Sequence, residues 1–154
     1  MAVASIHYRL AERSDIPAMA RIWSIEGREG GASAERMARY LGGEHHPRQA
    51  LPPRVLWVAL DGDSLVGYAA GHLTRRYHCD GELQWIYVLP ERRRAGIASE
   101  LLRRLAGWFV EQHAGRVCVN VDPTNAAALH FYARHHVETM TDQWRVWADI
   151  AAVL

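Results

Sequence analysis

The stretch from Glu82 to Val121 constrains the fold more than any other part of the sequence. Glu82-Leu83-Gln84-Trp85-Ile86-Tyr87-Val88-Leu89 reads as a strand rich in aromatic and branched residues, and Pro90 ends it. After Gly96, the residues Ile97, Leu101, Leu105, Trp108 and Phe109 fall on one face at helical spacing, so an amphipathic helix follows and should end near Gly115. Arg116 to Val121 is a second strand-like run. Strand, helix and strand in this order make a right-handed crossover between two parallel strands.

The rest of the chain supplies antiparallel neighbours and more helices. Ile6 to Leu10 reads as a short strand, and Ser14-Asp15-Ile16-Pro17 as a helix N-cap with proline just inside, leading to Met19, Ile22 and Trp23. From Gly27 to Pro53, glycines and prolines surround a short helix, Ala34 to Leu41, in a helix-and-loop segment. Val55 to Leu60 and Leu65 to Leu73 flank Asp61-Gly62-Asp63, a strong hairpin signal. Asp122-Pro123-Thr124-Asn125 reads as a turn and cap for a helix from Ala126 to Arg134, and Val137 to Trp147 as one or two closing strands. The expected fold class is α/β (α+β), a single domain over residues 1–154 with a mixed, mostly antiparallel sheet flanked by helices.

Composition removes several functional classes. The net charge of +1 gives no bulk attraction for nucleic acid or anionic membrane. No run approaches the ~20 apolar residues of a membrane span, and Met1 to Leu10 lacks the pattern of a signal peptide, so a soluble cytoplasmic protein is expected. The only cysteines, Cys79 and Cys118, are far apart in sequence and lack CxxC spacing, so neither a disulfide framework nor a zinc site is indicated. The pairs His45-His46 and His135-His136 lack neighbouring Cys or carboxylate spacing, and no metal is assigned.

Arg93-Arg94-Ala95-Gly96-Ile97-Ala98 joins the strand to the long helix. Its backbone N–H groups lie at the positive end of the helix dipole, where an anion is favoured. Gly96 lets a phosphate approach the backbone, and Ala98 keeps the next contact small. The Lys-Ser/Thr of a Walker loop and the three-glycine dinucleotide fingerprint are both absent. A solvated turn or a nucleic-acid patch, with Arg92, Arg103 and Arg104, are the other readings of this basic stretch.

With the strand from Glu82 to Leu89 before it, and Asn125 and Phe131-Tyr132 after it, the loop resembles the signature of the GNAT superfamily of N-acetyltransferases. The resemblance extends over nearly the whole chain. It implies a splayed parallel strand pair, often with a bulge, that forms a slot for coenzyme A. It implies that Ile86, Tyr87 and Val88 offer backbone groups to the pantetheine arm, that Arg93, Arg94, Ala95, Gly96, Ile97 and Ala98 hold the pyrophosphate, and that Asn125 contacts the arm or caps its helix. Tyr132 would donate a proton to the coenzyme A sulfur, and Glu82 falls where some members carry a general base. Gln84 does not titrate and is at most a positioning residue. The family's usual Gly-Phe after the tyrosine helix is replaced here by Arg134-His135-His136-Val137.

The function implied is an acyl-coenzyme A-dependent N-acyltransferase, with acetyl-coenzyme A as co-substrate and direct attack by a primary amine in a ternary complex. An acyl-cysteine route is disfavoured because Cys118 lies in an apolar strand and Cys79 has no base near it beyond His78. The alternative, from another class, is a non-catalytic acyl-coenzyme A sensor on the same fold. The acceptor, a small-molecule or peptide amine, is not marked by a motif, although Trp85, Tyr77 and Tyr40 are candidates for an aromatic wall. A homodimer through an edge carrying Trp144 and Trp147 is a further implication of the resemblance.

Overall fold

The computed structural model describes residues 5–25, 34–43 and 50–154. Gly27, Gly30, Gly31, His45, His46 and Pro47 lie outside them. The strands are β1 (Ile6–Leu10), β2 (Ala50–Asp61), β3 (Ser64–Thr74), β4 (Gly81–Val88), β5 (Val117–Asn120), β6 (Glu138–Thr139) and β7 (Trp144–Trp147). The α-helices are α1 (Ile16–Ile25), α2 (Ala34–Leu41), α3 (Ile97–Glu111) and α4 (Ala126–Arg134). The strands form one seven-stranded sheet in the order β1-β2-β3-β4-β5-β7-β6. Every neighbouring pair is antiparallel except β4 and β5.

Alternation along the strands divides the apolar side chains between two cores. Met19 and Ile22 of α1 and Met37 and Tyr40 of α2 pack with Val58, Tyr68 and Trp85 on one face. On the other, Leu101, Leu105 and Phe109 of α3 and Tyr132 of α4 pack with Ala69, Leu83, Val117 and Trp147. Two glycines fit α3 to the sheet. A Cβ on Gly71 would lie 2.8 Å from the Phe109 ring and one on Gly81 only 2.5 Å, so the ring occupies a dent that spans β3 and β4. Asp80 fixes the return from α3 to β5 by accepting the N–H groups of Gly115 and Arg116, each at 3.0 Å.

Several boundaries differ from the sequence expectation. The first helix is preceded by a 3-10 turn, Arg13–Asp15, opened by Glu12 and not capped by Ser14. Asp15 there accepts the Glu12 N–H at 2.7 Å and pairs with Arg9, also at 2.7 Å. The hairpin turns tightly, with Asp61 opposite Ser64. β2 runs back past the two prolines, which fall in a register shift between Leu51 and Arg54, where their missing N–H breaks no ladder bond. α3 stops at Glu111, before Gly115, and His113 takes a left-handed φ of 60° in the turn. β7 lies inside the sheet with Trp144 and Trp147 both buried, so the edge is formed by Glu138 and Thr139 and the expected tryptophan edge does not exist.

Candidate active site

The parallel pair is in register only from Gly81 opposite Val117 to Leu83 opposite Val119. Beyond Leu83, β4 continues to Val88 beside β3 but without β5, and the two strands part. The register of β3 on β4 shifts just there: Gly71 faces Leu83 and Ala70 faces Trp85, leaving Gln84 as the bulged residue. The bulge resets the alternation. Glu82, Trp85 and Tyr87 share the α1–α2 face, while Leu83, Ile86 and Val88 pack toward α3, so Glu82 is not on the face of Ile86 and Val88.

This phase sorts the backbone groups of residues 86–88. The N–H of Leu89 bonds the carbonyl of Val66 at 2.8 Å. Antiparallel alternation therefore turns the groups of Tyr87 toward β3 and those of Ile86 and Val88 toward the open side. The guanidinium of Arg93 already reaches that side, donating Nε to the Val88 carbonyl at 3.2 Å.

The loop that follows alternates in handedness. Arg93 has φ −70°, Arg94 φ 66° and Gly96 φ 80°, and α3 starts at Ile97. Alternation of this kind curls successive N–H groups around a common point, a concavity suited to an anion, and the free N–H groups of the helix start add to it. A Cβ on Gly96 would meet nothing within 4 Å, so glycine is needed there for its φ and not for space. Arg94, Ala95 and Gly96 are exposed, Ala98 is half-buried, and Ile97 anchors the loop in the α3 core. The neighbouring cations are largely engaged elsewhere. Arg92 pairs with Asp61 at 2.6 Å, Arg103 and Arg104 pair with Glu100 at 3.2 Å, and Arg104 also lies over the rings of Tyr8 and Trp57.

Glu82 is only 6% exposed. Its Oε1 accepts from Arg76 Nε at 3.1 Å, and His72 Nε2 lies 3.9 Å from Oε2. Burial pushes its pKa up, against the lowering pull of Arg76. His72 is fully buried, and its Nδ1 lies 2.9 Å from the Tyr40 hydroxyl. Neither His72 nor Arg76 was singled out from the sequence. The available signal was a histidine in an otherwise apolar strand, opposite Glu82 in the register. Cys118 faces Glu82 across the parallel pair, and burial, Glu82 and Cys79 together push its thiol pKa up strongly. Cys79 is buried beside it, so the two cysteines that are distant in sequence share one cluster.

Tyr132 is 5% exposed and belongs to the α3 core, edge-on to Trp147 with ring centroids 5.7 Å apart. It lies in a different side-chain cluster from Glu82. Asn125 caps α4, its Oδ1 accepting from the Ala128 N–H at 3.1 Å. That use leaves the two N–H donors of an asparagine amide for another partner. α4 ends at Arg134 despite the missing glycine, because His136 itself takes a left-handed φ of 70°. His135 tethers the end of α4 to the start of α3, its Nε2 lying 2.9 Å from Ser99 Oγ, and its carbonyl accepts from Trp147 Nε1 at 2.7 Å. Burial, then the charges of Arg134 and Arg103, lower its pKa.

Of the aromatic candidates, Trp85 and Tyr40 meet, with centroids 4.9 Å apart, and Trp23 joins them edge-on. Tyr77 does not. It is exposed and packs on Trp144. A surface depression of about 590 Å³, lined by Thr74, Arg75, His78, Asp80, Gln112 and His113, opens at the C-terminal end of α3 and contains none of the expected site residues. Among the described residues, no group of three or more His, Cys, Asp or Glu converges as a metal site would require. No helix among them is long and apolar enough to cross a membrane.

The Acetyltransferase (GNAT) family profile matches residues 19–136. An uncharacterized N-acetyltransferase of Mycobacterium tuberculosis is 34% identical over 102 residues, 66% of this chain and 59% of the relative, so the chain spans less than two-thirds of that protein's length. Among solved structures, the PaiA N-acetyltransferase of Thermoplasma acidophilum in complex with coenzyme A superposes with a TM-score of 0.74 at 16% identity, covering 94% of this chain and 99% of that one. The ribosomal-protein-S18-alanine N-acetyltransferase of Escherichia coli gives a TM-score of 0.70 at 16% identity, with 93% of each chain covered. These two likenesses show the fold. Together with the profile match over most of the sequence, the parted β4–β5 pair and the alternating loop at the start of α3 establish that this chain belongs to the GNAT acetyltransferase family.

Proposed function

We propose that the chain transfers an acyl group, acetyl in the first instance, from acyl-coenzyme A to a primary amine by direct attack in a ternary complex. The observation that carries this reading is the opening of β4 from β5 at Leu83, which leads to the alternating loop at the start of α3. The open side offers backbone donors and acceptors at Ile86 and Val88, as an added strand requires. Arg93 to Ala98 suit a diphosphate, and the free N–H groups of Asn125 suit an amide-bearing arm. Acetyl-coenzyme A would supply the activated thioester.

Attack needs a neutral amine and an acid for the departing thiolate. Glu82, raised toward neutrality by burial, receives the amine's proton through water, since its carboxylate is engaged by Arg76 and little exposed. Tyr132 gives a proton to the thiolate. The cysteines support direct transfer, because the Cys118 thiol is driven away from its reactive form and Cys79 is buried. A cytoplasmic location and a homodimer belong to the same proposal. Light scattering in solution tests the dimer.

Thiol release from acetyl-coenzyme A, measured over a panel of small amines, amino acids and peptides, tests the activity. Release that depends on one class of amine is expected. Coenzyme A binding with no release across the panel would replace this reading with that of a sensor, and an acetyl-protein formed from acetyl-coenzyme A alone would replace direct transfer.

A further inference from the structure

Four polar side chains from separate parts of the chain meet just before β4 and β5 part. Tyr40 of α2 sets its hydroxyl 2.9 Å from Nδ1 of His72 on β3. His72 Nε2 stands 3.9 Å from Oε2 of Glu82 on β4, and Arg76 donates to Oε1 at 3.1 Å. Tyr40 and His72 are both fully buried, among Met37, Trp85 and the α1–α2 core. The acyl-transfer reading makes no use of either. A buried imidazole and phenol are costly unless their polar atoms are engaged, so their arrangement calls for a role.

A neutral imidazole carries its proton on one nitrogen only. With the proton on Nδ1, the ring donates to Tyr40 and turns the lone pair of Nε2 toward a carboxylate. With the proton on Nε2, the Tyr40 hydroxyl donates to Nδ1 and the ring N–H faces Glu82. The second arrangement directs the positive ends of the His72 ring and the Arg76 guanidinium at the same carboxyl group. We propose that His72, held in its Nε2–H tautomer by Tyr40, is a positioning residue that aims Glu82 and sustains its ionised form inside the protein.

Among the described residues, the following charged and titratable groups bear on this pair. Arg76 reaches Glu82 from the turn after β3, Cys118 faces it from β5 with Cys79 behind, and Arg54 of β2 lies over the Tyr40 ring at 5.0 Å. The strongly raised thiol of Cys118 stays neutral at the pH of interest. Burial lowers the Arg54 pKa, against the raising effect of Tyr40. Changes in the Glu82 titration on altering His72 or Tyr40, with Arg76 and Arg54 kept, report on the Tyr40–His72–Glu82 string itself.

The proposal deepens the reading of Glu82 as the base and rests on it, so its test uses two readouts. In protein labelled with 15N-histidine and 13C-glutamate, His72 should show the Nε2–H tautomer. His72→Leu should raise the Glu82 carboxyl midpoint by about one pH unit. Tyr40→Phe, which deletes one oxygen and keeps the ring packing, should raise it less, and His72→Gln, which keeps a donor, should recover part of the shift. The acid limb of kcat/KM for thiol release should move with the carboxyl midpoint, while KM for acetyl-coenzyme A changes less than about twofold. An Nδ1–H tautomer, or a Glu82 midpoint unmoved in both His72→Leu and Tyr40→Phe, would overturn the proposal. If Glu82 is not the base, the carboxyl midpoint still shifts while the acid limb stays in place, also in Glu82→Gln, so the two readings fail separately.

Discussion

Glu82 holds a carboxyl group where burial opposes its charge, and its raised pKa links folding to pH in a definite direction. The stabilising effect of that raised pKa is fully present below the unfolded value, near 4.5, and is lost as pH rises through the higher folded value. Above that range the folded protein carries a carboxylate that its surroundings only partly compensate. Glu82→Gln should therefore melt higher than the parent at pH 7 to 8, and the gap should close below about pH 4.5, where acid and amide are nearly equivalent. Differential scanning fluorimetry across pH reads this directly. At the other end of the proposed reaction, Tyr132→Phe keeps the ring against Trp147 and removes the proton donor. Its kcat should fall by about 10²-fold or more with little change in melting temperature, and unchanged turnover would assign Tyr132 to packing alone. Both residues stood out in the sequence because the family resemblance singles out their places. His72 did not, because its partners Tyr40 and Glu82 lie 32 and 10 positions away and meet only through strand pairing and the docking of α2.

The elements themselves were largely readable, and the misreadings have local causes. The hairpin and the crossover were clear because turn residues and apolar periodicity agree over long stretches, as with Asp61-Gly62-Asp63 and with Ile97 to Phe109. The bulge was implied by the family resemblance alone and is not marked in the residues. Gln84 breaks the alternation of β4 without a glycine or proline to mark it, so the facing of Glu82 relative to Ile86 and Val88 came from the register alone. The end of α4 is the converse case, a motif that changes while its geometry persists. His136 adopts the left-handed φ that glycine favours, at a cost of roughly 1 kcal/mol. His136→Gly should raise stability by about that amount or somewhat less, since glycine also loosens the unfolded chain. Gly81→Ala should do the opposite, because its Cβ would enter the Phe109 ring. A loss of about 1–3 kcal/mol in chemical denaturation, partly restored by Phe109→Leu, is expected.

At the scale of the whole molecule, a ligand that binds only the folded chain stabilises it by mass action. Coenzyme A at about 100 times its dissociation constant should add roughly 2.7 kcal/mol. An unchanged melting temperature at that concentration would remove coenzyme A from the account. The parted strands add a mechanical dimension to this coupling. Direct strand pairing passes from β4 to β5 only through Gly81 to Leu83, so the sheet consists of two plates, β1-β2-β3-β4 and β5-β7-β6, joined by a short seam. The second plate is also fastened by Asp80, which accepts the N–H groups of Gly115 and Arg116, by Tyr77 packed on Trp144, and by α3 against the final turn, Ile150–Val153. Without ligand, amides of β5 and β7 should exchange sooner than those of β2 and β3. A chain-like arm lying along Ile86 and Val88 would act as a splice across the gap, so that coenzyme A should slow exchange in both plates together and merge their unfolding into one event.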